Sequence, residues 1–191
     1  MTQTGRIVQR GTAAHYLMMN KPAGILSATT DPSHTTVIDI LDTPDSGALH
    51  IAGRLDRAST GLLILTNNGV WSRHLTDPHR KKPKVYRVGT ARPITPETVL
   101  RFADGIWFEY EQLRTSPAEL ELLGPSLAQV TIYEGRYHQI KRMFQAVGNR
   151  VTSLHREQMG PITLDIDLAP GGYRPLTHPE IRAVTDEATD R

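Results

Sequence analysis

The stretch that decides the fold is Gly53-Arg54-Leu55-Asp56-Arg57-Ala58-Ser59-Thr60-Gly61-Leu62-Leu63-Ile64-Leu65, in which a carboxylate is followed by a polar turn and an apolar run. A strand is predicted over residues 50–55, and the run at 62–65 is typical of a central strand. Strands on both sides would hold Asp56 at a sheet edge or in a cleft. By itself, however, an Asp in a turn is more often a cap or an ion-pair partner. These residues alone leave both interpretations open.

The rest of the chain mixes strands and helices without strict alternation. Further strands are predicted at residues 16–19, 84–88, 118–122, 129–133 and 151–156. Helices are predicted at residues 37–41, 70–75, 95–105 and 137–147, and a last short helix follows the capping box of Thr177 and Glu180. This order predicts an α+β fold with a central mixed, mainly antiparallel sheet flanked by helices.

The clearest helix is the one predicted over residues 137–147. Its apolar stripe recurs at i, i+3, i+4 and i+7 and consists of Ile140, Met143, Phe144 and Val147. The opposite side carries His138, Lys141, Arg142 and Gln145. We therefore expect this helix to pack on the sheet and to present basic side chains away from the core.

The composition excludes several classes of protein. The 191 residues contain 38% hydrophobic and 22% charged side chains, which is typical of a soluble globular domain. The chain has no cysteine, which excludes disulfides, thiolate metal sites and cysteine nucleophiles. No stretch reaches the roughly 20 apolar residues of a membrane span, and the polar start does not resemble a signal peptide. We expect a cytoplasmic protein without metal or cofactor.

Basic residues are clustered although the net charge is only +2. One cluster is the run at residues 80–84, and another extends over residues 136–156. Acidic residues gather around residues 109–121 and in the last dozen positions. This asymmetry favours an anionic partner, above all nucleic acid, but it is equally typical of a solvated charged surface.

The stretch around Asp56 resembles the catalytic motif of the pseudouridine synthases, in particular of the RsuA branch, which is typified by an enzyme of the small ribosomal subunit and also has large-subunit members. Four motifs of that family occur in the same order, at residues 17–24 (LMMNKPAG), 53–65, 84–88 (KVYRV) and 134–144 (EGRYHQIKRMF). Residues 154–157 (LHRE) also match. The resemblance covers about residues 16–176, which makes a chance similarity negligible.

The resemblance implies the pseudouridine synthase fold over residues 15–185, with the catalytic cleft across the sheet. Residues 1–14 would be a flexible leader and residues 186–191 a tail. The implied activity is isomerisation of a uridine in ribosomal RNA or a pre-ribosomal particle, and the motif text favours 16S rRNA. Alternatives are a 23S rRNA enzyme of the same branch or a catalytically silent rRNA-binding assembly factor. A metal-dependent hydrolase is a further alternative, for which the histidines offer no ligand spacing.

The resemblance also implies roles for individual residues. Asp56 would be the catalytic residue, Lys141 its cationic partner, and Tyr86 would stack on the uracil and is a candidate for removing the C5 proton. Leu154 would pack beside the base, and Arg54 would fill the space that a flipped uridine vacates. The remaining expected substrate-binding residues are Arg57, Arg136, His138, Arg142, Lys81 and Lys82. Taken singly, these residues also have ordinary structural roles, such as a solvated lysine or a half-buried strand tyrosine.

The chain departs from the family pattern in two places. Members of the branch typically begin with a small RNA-binding domain of the S4 type, but here the first predicted strand begins near Tyr16, so we expect that domain to be missing. Met159-Gly160-Pro161 replaces the more usual Ile-Gly-Gly, which is expected to stiffen that loop. No segment is left over for an obvious interface, so a monomer is expected.

Overall fold

A mixed sheet is the centre of the computed structural model, which describes residues 13–44 and 46–186. The strands are β1 Tyr16–Lys21, β2 His50–Ala52, β3 Thr60–Thr66, β4 Lys84–Thr90, β5 Trp107–Phe108, β6 Leu113–Arg114, β7 Glu119–Gly124, β8 Leu127–Ile132, β9 Val151–Met159, β10 Ile162–Thr163 and β11 Tyr173–Pro175. The α-helices are α1 Gly69–Thr76, α2 Pro96–Asp104, α3 Gln139–Ala146 and α4 His178–Thr185. Short 3-10 turns lie at Ser46–Ala48 and Pro78–Arg80.

The order of strands across the sheet is β11-β1-β3-β9-β4-β8-β7, with β2 added to β3 and β10 to β9. These neighbours are antiparallel except β3 and β9, which run parallel where Thr60 and Gly61 face His155 and Arg156. Strands β5 and β6 form a separate hairpin. The predicted α+β fold with a mixed, mainly antiparallel sheet is therefore confirmed.

Both faces of the sheet are covered, and the central strand β3 shows how. Leu63 and Leu65 belong to one hydrophobic cluster, which includes Phe102 of α2 and Phe144 of α3. Leu62 and Ile64 point to the opposite face, into a cluster that contains Trp71 of α1 and Val184 of α4. Because side chains alternate along a strand, one continuous apolar run supplies two cores.

Most predicted elements occur, with shifted ends. The side chain of Thr95 caps α2 by accepting a hydrogen bond from the Thr98 amide, and the capping box of Thr177 and Glu180 begins α4, both as predicted. The predicted strand over residues 50–55 ends at Ala52, whereas β1 and β9 are longer than predicted.

The helix predicted at residues 37–41 is wrong. Residues 37–40 form turns, because the Val37 amide donates to the carbonyl of Leu26 and Thr36 binds the Asp39 carboxylate through its amide and hydroxyl. The helix predicted from residue 137 begins at Gln139, because His138 adopts left-handed backbone angles.

The predicted leader and tail lie almost entirely outside the described residues, so that division of the chain stays a prediction. Within the described ranges, no helix combines the length and apolarity needed to cross a membrane.

We expect Gly61→Ala to destabilise the protein strongly. Gly61 has a φ of +100°, and a Cβ there would collide with the main chain of Arg156 on the parallel strand β9. The expected loss in free energy of unfolding is about 2–4 kcal/mol, measured by urea denaturation. Gly69→Ala is the control, because nothing lies within 4 Å of the added methyl group at the start of α1. Equal denaturation midpoints for the two variants would contradict this account of the β3–β9 contact.

Candidate active site

A cleft of about 570 Å³ opens across the sheet and is lined by the loop that contains Asp56. Its other walls come from β4, β8 and β9 and from the residues just before and at the start of α3. The predicted site residues that line it are Arg54, Asp56, Arg57, Tyr86, Arg136, His138 and Leu154. This volume lies within the range of ordinary small-ligand sites and would admit a nucleotide.

Hydrogen bonds to its main chain hold the Asp56 loop in place. The amide of buried Leu55 donates to the Ser27 hydroxyl (3.1 Å), and the Ser59 amide donates to the Asp56 carbonyl (3.0 Å). Beneath the loop, Lys21 Nζ donates to the carbonyls of Arg57 (3.2 Å) and Ser59 (2.8 Å). These contacts fix the loop from below and leave the carboxylate of Asp56 facing the cleft.

Both oxygens of the Asp56 carboxylate have partners from the third motif. Lys141 Nζ on α3 lies 2.7 Å from Oδ2, and His138 Nε2 lies 3.1 Å from Oδ1. The side chain of Asp56 is 26% exposed, so solvent and substrate reach it. The structure thus brings together Asp56 and Lys141, which lie 85 positions apart in the sequence.

Two strands supply the less polar wall of the cleft. Tyr86 of β4 is 7% exposed, and Leu154 of β9 is half-buried. The two strands are hydrogen-bonded neighbours, and both side chains line the cleft. A tyrosine ring and an aliphatic side chain on rigid strands form a surface suited to a planar base.

The predicted arginines differ in their surroundings. Arg54 and Arg57 are exposed at the cleft, and Arg57 Nε donates to the Gly24 carbonyl (3.0 Å). Arg136 pairs with Glu134 (3.1 Å) and Arg142 with Glu111. Arg142 also lies over the Phe108 ring, 3.9 Å from its centroid, and does not line the cleft.

The remaining predicted ligands, Lys81 and Lys82, do not line the cleft either. They lie between the 3-10 turn Pro78–Arg80, whose first residue lines the cleft, and Lys84, which also lines it. In the described part of the chain, no group of three or more histidines and carboxylates could hold a metal ion.

Arg156 belongs to the basic cluster of residues 136–156, for which an anionic partner was predicted, but it does not lie at the surface. Arg156 is 1% exposed and lies beneath the Asp56 loop. Its guanidinium donates to the carbonyls of Leu62 (2.8 Å), Gly53 (2.7 Å) and Arg54 (3.4 Å). It therefore ties β9 to both ends of the segment that presents Asp56. The sequence marked Arg156 by its place in a predicted strand and in the matching stretch of residues 154–157, and neither feature indicated its burial.

Two lysines near the site, the buried Lys21 and the half-buried Lys84, were given no individual role by the sequence. Burial lowers the pKa of Lys21 to about 8, and the nearby negative charge of Asp56 opposes this shift. Lys84, which lines the cleft, has a lowered pKa because of burial and the positive charge of Arg156, whereas Glu134 opposes the shift. The floor of the cleft is thus rich in cations, which favours an anionic substrate.

A cation-rich cleft that contains a paired carboxylate is suited to an enzyme that acts on an anionic substrate such as nucleic acid. The model of the RNA pseudouridylate synthase family matches residues 15–146, and the chain belongs to this family. It is an enzyme of the isomerase class, a pseudouridine synthase, so the predicted family, fold and enzyme class are confirmed.

Curated relatives are similar over most of their length. Ribosomal small subunit pseudouridine synthase A of Yersinia pestis is 49% identical over 94% of this chain and 77% of its own. The protein of the same name from Pseudomonas aeruginosa is 51% identical over 94% of this chain and 78% of its own. The protein of this name from Escherichia coli is 50% identical over 88% of this chain and 73% of its own.

Solved structures agree with this assignment. A crystal structure of a pseudouridylate synthase superposes with a TM-score of 0.87 at 42% identity, covering 90% of this chain and 74% of that one. An archaeal box H/ACA complex of Nop10 and Cbf5 matches with a TM-score of 0.53 at 19% identity, over 82% of this chain and 51% of that one. This second similarity shows the fold alone.

Replacing Arg156 is expected to destabilise the protein. Arg156→Met leaves three main-chain carbonyls under the Asp56 loop without their donor, which should lower the free energy of unfolding by roughly 2–4 kcal/mol. Arg87→Met is the matched control, because Arg87 lies on the adjacent strand with a 53% exposed side chain and should change stability by about 0.5 kcal/mol or less. Equal losses in urea denaturation would show that Arg156 does not hold the loop.

Lys21 should make stability depend on pH. Its pKa is about 8 in the folded state and higher when unfolded, so the unfolded chain binds more protons in the window above pH 8. The contribution of Lys21 to stability is therefore present at high pH and is lost as pH falls through about 8. Compared with Lys21→Met, the natural protein should gain free energy of unfolding between about pH 8 and 10. A constant difference across that range would contradict the burial of the ammonium group.

Proposed function

We propose that this pseudouridine synthase converts a uridine of 16S ribosomal RNA to pseudouridine, with Asp56 as its catalytic residue. The observation that carries the proposal is the Asp56 carboxylate, which is held by Lys141 at 2.7 Å inside a cation-rich cleft of nucleotide size. The small-subunit target is supported by relatives named ribosomal small subunit pseudouridine synthase A, at 49% and 51% identity.

The reaction breaks the N1–C1′ glycosidic bond and joins C1′ to C5 of the uracil. C5 loses its proton and N1 carries one at the end, so the product is an isomer and no oxidant or reductant takes part. Asp56 can contribute in three ways: attack on C1′, attack on the base, or removal of the C2′ proton to give a glycal. Each route requires an ionised carboxylate that faces the sugar and base.

Lys141 and His138 would prepare the Asp56 carboxylate for this step. Lys141 balances its charge and fixes Oδ2, while His138 holds Oδ1 at 3.1 Å. Because α3 and the Asp56 loop are both anchored in the core, the carboxylate needs little reorganisation before reaction. Lys141 therefore acts through Asp56, as a positioning residue.

Tyr86 and Leu154 would bind the uracil. Their strands are rigid and adjacent, so the base can lie against the tyrosine ring while it turns from N1 to C5 attachment. The Tyr86 hydroxyl is then the candidate acceptor for the C5 proton.

A uridine in folded RNA must leave its stack to reach Asp56, at a cost of roughly a few kcal/mol. Arg54, which is exposed beside Asp56, would occupy the vacated space. Arg57, Arg136, His138, Arg142, Lys81 and Lys82 would supply affinity, mostly through phosphate groups. To bind a phosphate, Arg136 would exchange its ion pair with Glu134, and Arg142 its ion pair with Glu111.

The expected setting is the cytoplasm, where the enzyme would act as a monomer on ribosomal RNA or a pre-ribosomal particle.

Asp56→Asn should abolish pseudouridine formation while preserving RNA binding. The amide keeps the shape of the side chain but can neither attack carbon nor accept a proton as a carboxylate does, so the rate should fall by roughly a thousandfold or more. The measurement is pseudouridine formed in 16S rRNA transcripts, with binding followed by filter retention. Asp104→Asn, at the exposed end of α2, should retain full activity.

Three results would count against the proposal. Full activity of Asp56→Asn would refute the role of Asp56. Activity of the natural protein on 23S transcripts alone would refute the target. Binding of rRNA without any pseudouridine formation would indicate a silent assembly factor.

A further inference from the structure

An aromatic pair stands at the mouth of the cleft, just before α3. The rings of Tyr137 and His138 are stacked, with centroids 3.8 Å apart and an angle of 19° between their planes. Tyr137 is 77% exposed, although it lines the cleft. One face of the tyrosine ring is therefore covered by the imidazole, and the ring has no place in the core.

The pair is tied to the catalytic carboxylate. His138 Nε2 lies 3.1 Å from Asp56 Oδ1, so Asp56, His138 and Tyr137 form a continuous chain of contacts from the cleft floor to its rim. His138 reaches Asp56 with a φ of +49° and makes no side-chain cap for α3. A non-glycine residue at positive φ is uncommon. Here the left-handed backbone carries an imidazole that contacts Asp56 on one side and the Tyr137 ring on the other.

The surroundings suit nucleic acid. Arg136 precedes the pair, Arg142 Nη1 donates to the Tyr137 carbonyl (3.4 Å), and Arg54 and Arg57 are exposed on the Asp56 loop. An exposed aromatic ring among arginines is the usual arrangement of a surface that stacks single-stranded bases while binding the backbone.

We propose that Tyr137, backed by His138, is the stacking platform for a nucleobase that neighbours the flipped uridine. This inference rests on the proposed function and extends it to the bases on either side of the target. When the uridine turns into the cleft, its neighbours lose a stacking partner, and the open face of Tyr137 replaces that partner at the rim. The ligand is an unpaired RNA base of any identity, since every base has a face that stacks.

The test compares Tyr137→Ala, Tyr137→Leu and Tyr137→Phe on an RNA stem-loop that carries the target uridine. The Ala and Leu variants should lose roughly 5- to 100-fold in RNA affinity, because they lack a ring, and the Phe variant should stay within about twofold of the natural protein. The measurement is Kd by filter binding, together with kcat and KM for pseudouridine formation. Tyr110→Ala is the matched control, because Tyr110 is 96% exposed but does not line the cleft.

Two further RNAs make the test specific. In each of them, one of the two nucleotides next to the target uridine is replaced by an abasic residue. When the abasic residue replaces the neighbour that stacks on Tyr137, the natural protein should lose as much affinity as Tyr137→Ala loses on the unmodified RNA. Tyr137→Ala should lose no further affinity on that abasic RNA.

Four outcomes would overturn the platform. They are an unchanged affinity of Tyr137→Ala, a Leu variant that binds as well as the Phe variant, an equal loss for Tyr110→Ala, or additive losses with both abasic RNAs. The natural protein in the same assay separates this inference from the proposed function. If it forms pseudouridine, these outcomes refute the platform alone, and if it forms none, both proposals fail.

Discussion

The binding of the Arg156 guanidinium to the carbonyls of Gly53, Arg54 and Leu62 is the contact on which the site depends. Burying a charge costs several kcal/mol unless hydrogen bonds satisfy it. Here main-chain carbonyls from both sides of Asp56 provide those bonds, so the loop has one favoured path across the sheet. The parallel contact of β3 with β9 makes this possible, because it places Arg156 beside Gly61, where no side chain intervenes.

Three lysines in and around the cleft also shape its chemistry. Lys21 fixes the loop from below, Lys84 lines the cleft, and Lys141 meets the Asp56 carboxylate directly. Positive charges in a partly buried cleft produce a concentrated electric field that attracts a polyanion. The net charge of only +2 gives no indication of this local field. RNA binding is thus built into the floor of the site as well as into exposed arginines. Stacking on Tyr137 at the rim would add affinity for a base beside the target uridine, without selecting the identity of that base.

The sequence predicted those features that are set by local rules. Helices α2 and α4 begin where Thr95 and Thr177 predict, because a cap is formed by residues three positions apart. The apolar runs predicted strands because their pattern is also confined to neighbouring residues. The predicted start of α3 lies two residues before the observed one. The left-handed backbone of His138 delays the helix, and it accompanies a contact with Asp56, which is far away in the sequence. The turn at residues 37–40 depends likewise on a bond to Leu26.

Some residues of the candidate site could be predicted from the sequence and others could not. The motif resemblance predicted the pairing of Asp56 with Lys141, which spacing alone could not predict across 85 positions. The burial of Arg156 and Lys21 was missed because the local sequence around a charged residue is the same whether that residue is buried or exposed. Only the neighbouring strands and loops decide its burial, and these come together in the folded chain. The alternation of β9, with His155 and Glu157 on either side of Arg156, gave no sign that this position faces the core.

The most direct test of the central claim is a map of pseudouridines in the rRNA of cells that lack this protein, restored with either the natural chain or Asp56→Asn. Loss of one 16S rRNA pseudouridine, regained with the natural chain and not with Asp56→Asn, is the predicted result. An unchanged 16S rRNA map, or restoration by Asp56→Asn, would contradict the claim that the Asp56 carboxylate isomerises a uridine of the small ribosomal subunit.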